Sequence, residues 1–146
     1  MGPIHVLDFA PAPPRVEGAK LRIHVIYTTP QATRACLRAA GLLAKGLDAR
    51  LELLVTKVVP YPLPLHRPTT SAAFTEKTVG TLTRNCGIDV NVKVLLCRDA
   101  EETIPRWLPS DSIAVIGRRR RWGPGSCSRL IRAIRRSGLR VIVVPE

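Results

Sequence analysis

Residues 117–138 read GRRRRWGPGSCSRLIRAIRRSG, a run of four arginines followed by Gly123, Gly125 and three small residues at the start of a helical pattern. A glycine-rich turn that opens a helix presents unused backbone amides to an anion, and the helix dipole adds to the attraction. On that reading the amides of Gly125, Ser126 and Cys127, with Ser128, Gly117, Arg118 and Gly123 around them, would hold a nucleotide or another phosphate-containing anion. The same residues also read as a helix cap on a tight turn beside a solvated charge run. Further along, Arg129, Arg132 and Arg136 fall on one helical face, with Leu130, Ile131 and Ile134 left for the core. This is ordinary amphipathicity, or, together with Arg119, Arg120 and Arg121, a stripe for nucleic acid or another polyanion.

Other reactive residue types do not assemble into a catalytic set. Cys127 stands among arginines that would lower a thiol pKa, and it also suits a packed helix start. The four cysteines, Cys36, Cys86, Cys97 and Cys127, contain no C-x-x-C pair, and His24 and His66 have no second ligand at metal-binding spacing. No metal site and no disulfide framework are expected. Asp99, Glu101 and Glu102 cluster where the first turn of a helix would use them for capping. With no nucleophile paired to a base, the chain is expected to be non-catalytic.

Composition narrows the partners. The net charge is +12, and no acidic residue occurs between Asp111 and Glu146, so anionic partners are favoured. Trp122 is the one aromatic residue in the basic segment, which argues against the stacking platforms of a single-strand binder. No apolar run approaches the length of a membrane span, and the first residues lack a signal-peptide pattern, so a cytoplasmic protein without a transmembrane segment is expected.

The elements that position these residues alternate along the chain. Pro3, Pro11, Pro13 and Pro14 make residues 1–19 an extended arm, with one domain over 20–146. LRIHVIY reads as a strand, and Thr28 and Thr29 then offer cap oxygens ahead of Pro30 at the first helical position. A helix with an alanine-rich inner face follows, ended by Gly46. RLELLVTKVV is a nearly continuous apolar strand, a proline-rich loop covers 60–68, and a weaker helix spans 69–85. IDVNVKVLL, DSIAVIG and LRVIVVP are three more strands, separated by a short helix containing Pro105 and by the basic helix. Five strands alternating with four helices predict an α/β fold: a parallel sheet with helices on both faces.

The span from Leu21 to Pro145 resembles a universal stress protein domain of the adenine nucleotide alpha hydrolase-like fold. The likeness lies in the alanine-rich first helix with ARLELLVTKVV, and in AVIGRR, GSCSRLIRAI and LRVIVVP at the close. It implies a Rossmann-like three-layer sandwich with strand order 3-2-1-4-5, a stress-response or regulatory role, and a nucleotide pocket at the carboxyl ends of the strands. The family's nucleotide binders carry G-x2-G-x9-G-[ST] there. Gly117 matches the first glycine, and Gly125 with Ser126 the last pair, but Arg120 stands at the second and the loop is five residues short. The acidic residue usual after the first strand is replaced by IYTT, containing Thr28 and Thr29. The resemblance therefore implies a divergent member with a degenerate pocket. An ATP-binding or ATP-hydrolysing member and a nucleic-acid or anionic-surface binder are the alternatives. It also implies a homodimer through the last strand, with Val141, Ile142, Val143 and Val144 at the sheet edge.

Overall fold

Alternation of apolar side chains fixes the strands, and their pairing gives a six-stranded sheet. In the computed structural model the described residues are 5–8, 21–58, 77, 80–84, 90–118 and 126–145. They form β1 (His5–Asp8), β2 (Arg22–Ile26), α1 (Pro30–Leu47), β3 (Arg50–Val58), β4 (Val90–Cys97), α2 (Ala100–Trp107), β5 (Ile113–Arg118), α3 (Ser126–Arg136) and β6 (Arg140–Pro145). Residues 80–84 are helical too, the part of the expected 69–85 helix that is described.

The strand order is β1-β4-β3-β2-β5-β6. From β4 to β6 all pairings are parallel, so the five expected strands take the expected order 3-2-1-4-5. The addition is β1, which lies antiparallel along the outer edge of β4. Proline excluded the arm from a central strand but left the edge open to it.

The sheet is covered on both faces. On one, Ile23, Val25, Leu53, Val94 and Val115 pack under α1, against Cys36, Leu37, Ala40 and Ala44. On the other, Ile26, Leu54, Leu95 and Ile116 pack with Ile104 of α2 and with Leu130, Ile131 and Ile134 of α3. Among the described residues no helix is long and apolar enough to cross a membrane.

Helix boundaries follow from local chemistry. Thr29 caps α1, its Oγ1 accepting from the Ala32 amide at 3.3 Å, and Pro30 opens the helix. Gly46 does not end α1; the chain runs to Leu47 and turns at Asp48, which takes the left-handed conformation at φ 51°. A short polar side chain tolerates that region better than most residues do. Asp99 caps α2, accepting from the amides of Glu101 and Glu102. Gly138, at φ +87°, leads out of α3 and donates to the Arg135 carbonyl at 3.0 Å.

The tightest contact is between α1 and β5. A Cβ built on Gly117 would stand 2.8 Å from Ala32 Cβ and 3.0 Å from the Ala32 carbonyl oxygen, with Cys36 Sγ at 3.1 Å. Backbone is part of that obstacle, so a side chain fits only if the helix moves. Gly117→Ala should cost about 1–3 kcal/mol, as overpacking does. Gly46→Ala, with nothing within 4 Å of the added carbon, should instead stabilise by about 0.5–1 kcal/mol. Urea unfolding of both variants checks the pair, and an unchanged midpoint for Gly117→Ala would contradict the packing account.

Candidate functional site

Open α/β sheets receive ligands at the carboxyl ends of their strands, at the point where the connections reverse direction. Here that point lies between β2 and β5, neighbours whose following helices leave to opposite faces. Ile26 and Ile116 are register partners there, so Thr28 and Thr29 at the head of α1 and Gly117 with Arg118 at the end of β5 meet at one edge. Ser126, Cys127 and Ser128 form the first turn of α3. Arg119, Arg120, Arg121, Gly123 and Gly125, which would complete the loop, lie outside the described residues.

The donors at this edge can be counted. Pro30 has no N–H, the Ala32 amide is taken by Thr29 Oγ1, and the Thr33 amide donates to the Thr29 carbonyl at 2.9 Å. The Thr28 amide donates to Thr33 Oγ1 at 3.2 Å. A helix start normally leaves its first amides unused, and at α1 the Pro30 position has none and the Ala32 amide is capped, which leaves those of Thr29 and Gln31. Thr28 Oγ1 is buried without a partner among the described residues. A buried hydroxyl without a partner is costly, so this atom is poised to bond an incoming group.

Gly117 has a different part from the one its motif position suggests. Its open side is filled by α1, so its lack of a side chain serves the helix contact. Arg118 beside it is exposed. The described thiols are poor nucleophiles: burial pushes Cys36 up to about 12 and also raises Cys97. Among the described residues no group of three metal-ligating side chains comes together.

Sequence reasoning missed a polar cluster on the α2 side of the sheet. Glu52 of β3 lies between His24 of β2, with Nε2 to Oε2 at 3.1 Å, and Lys93 of β4, with Nζ to Oε1 at 3.2 Å. Both separations are short, but the angles miss those of an aligned hydrogen bond, so charge and proximity hold the group together. Trp107, at the end of α2, sets its ring edge-on to His24 at 5.8 Å and lies under Lys93 Nζ at 5.2 Å. His24 is fully buried, and its Nδ1 has no partner among the described residues. The signal available was Glu52 interrupting an apolar strand, opposite a histidine in register.

Burial alone would raise the Glu52 carboxyl, but the adjacent His24 and Lys93 outweigh it and hold the group below its usual 4.5. Through Trp107 the cluster ties the end of α2 to three strands of the sheet. Comparison with known protein families and with curated proteins finds no match to this chain.

A lowered carboxyl pKa stabilises the fold above the unfolded-state value, and the contribution is lost as pH falls through the folded-state value. Glu52→Gln should therefore lose about 1–3 kcal/mol at neutral pH, with the difference from the unmodified protein shrinking as the solution is acidified below the usual carboxylate range. Urea titrations at neutral and at acidic pH measure it; an offset independent of pH would remove the ionic account.

Proposed function

We propose that this chain is a non-catalytic binding domain resembling the universal stress proteins, whose carboxyl-edge site accepts a small phosphate-bearing anion and does not cradle ATP in that family's manner. The observation carrying this reading is the small number of donors left at the start of α1. With Pro30 lacking a donor and the Thr28, Ala32 and Thr33 amides already bonded, that side of the site offers the Thr29 and Gln31 amides and the buried Thr28 hydroxyl, too few for a triphosphate. A triphosphate needs many aligned donors, whereas one phosphate group can be met by a few. The shortened Gly117–Gly125 segment and the missing acidic residue after β2 point the same way. A regulatory binding role is the reading favoured by a site whose described residues offer anion donors and no nucleophile paired to a base.

Calorimetric titration of the full chain tests this. ATP should show no stoichiometric binding, while AMP or inorganic phosphate binds weakly, and Thr28→Val reduces that binding about tenfold, the effect of roughly 1.4 kcal/mol. Stoichiometric ATP binding that disappears in Gly125→Val would refute the reading.

The proposal includes a homodimer through β6. That strand pairs only with β5 in the described sheet, and Ile142 is 40 % exposed. An apolar edge of this kind is a ready template for another strand, and two copies meeting about a two-fold axis would close it. Val141 and Val143 pack against the α3 core, so Ile142 is the cleaner site to perturb. Ile142→Lys should sediment as a monomer at micromolar concentration where the unmodified chain is a dimer; a monomeric unmodified chain would end the dimer proposal.

A further inference from the structure

The exposed face of α3 is built from arginine. Arg129, Arg132 and Arg136 are exposed there, at positions that bring them to one side of the helix, while Leu130, Ile131 and Ile134 are buried against the sheet. None of the three is ion-paired among the described residues. Residues 112–145 hold nine arginines, no lysine and no acidic residue. Helix stability does not account for this pattern. Arg136 suits the negative end of the helix dipole, but Arg129 stands near the start, where the dipole disfavours a cation, and no acidic residue there compensates.

We infer that this face binds double-stranded nucleic acid through its phosphate backbone, without reading base sequence. Guanidinium groups match phosphate oxygens in a planar, two-pronged way that ammonium groups do not, and this interval uses arginine alone. From Arg129 to Arg136 the helix advances about 10 Å, close to three base-pair steps. The partner is a duplex because the described face of α3 carries no aromatic residue on which unpaired bases could stack. A lipid surface is disfavoured because such a helix would need an exposed apolar face, and the apolar residues of α3 are already in the core. An acidic protein would need an apolar anchor at the centre of the contact. Among the described residues the large exposed apolar side chains, Leu42, Leu47, Val58 and Ile142, all lie on other elements. This inference stands apart from the carboxyl-edge site and does not depend on it.

The experiment is fluorescence anisotropy of the full chain with a labelled DNA or RNA duplex over a salt series. The triple variant R129Q/R132Q/R136Q should flatten the slope of log affinity against log salt by about 2.7, three phosphate contacts at about 0.9 each. A control, R34Q/R38Q/K45Q, removes the same charge from exposed positions on α1, on the opposite side of the sheet, and should leave the slope nearly unchanged. Circular dichroism verifies folding; should the first triple misfold, single Arg→Gln variants each lower the slope by about 1, and R129K/R132K/R136K keeps it. Equal flattening by both triples would mean diffuse net charge and overturn the inference. So would absence of duplex binding, tighter binding to a single strand of the same length, or tighter binding to phosphatidylserine vesicles.

Discussion

Helix α1 reaches the sheet only because backbone meets side chain there with nothing to spare. Its inner face is Ala32, Cys36, Ala40 and Ala44, and Gly117 of β5 presents no side chain at the crossing. That approach brings the head of α1 to the end of β5 and so defines the edge at which the connections diverge. It also buries Cys36 deeply enough to silence the thiol. A larger residue at either surface would lift the helix, and the geometry around Thr28 and Thr29 would open with it. The glycine that a phosphate-loop reading assigns to a ligand is thus already occupied by the fold.

The layers were readable wherever one physical rule acts locally. Alternating or continuous apolar runs mark β2 to β6, Thr29 before Pro30 marks the start of α1, and Asp99 marks the start of α2, all within a few residues of where they occur. What escaped depends on partners distant in sequence. The strand β1 is four residues long in a proline-rich segment, and only pairing with β4 gives it an identity. Gly46 suits a helix stop, yet Asp48 makes the turn, since the two chemistries are alternatives until backbone geometry selects one.

The candidate site shows the same division. Thr28, Thr29, Gly117 and Arg118 do converge, because strand order alone requires it. The state of their donors was not legible: whether an amide is free depends on which hydroxyl turns toward it, as Thr33 Oγ1 does toward Thr28. Likewise, His24, Glu52 and Lys93 lie on three strands, and their meeting is a fact of register. Charge is consequently handled in opposite ways on one side of the sheet: balanced and buried under α2, unbalanced and exposed on α3.

The antiparallel strand β1 also imposes an order of events during synthesis. His5 is opposite Leu96, so β1 leaves the ribosome and waits for a partner 91 positions later, the difference between 96 and 5. At about 5–20 residues per second, that is a delay on the order of five to twenty seconds. Meanwhile β2, β3 and α1 are complete and can begin to associate. β1 then joins an edge built from β2, β3 and β4, while β5, α3 and β6, which follow Cys97 in the chain, are added on the opposite side of β2.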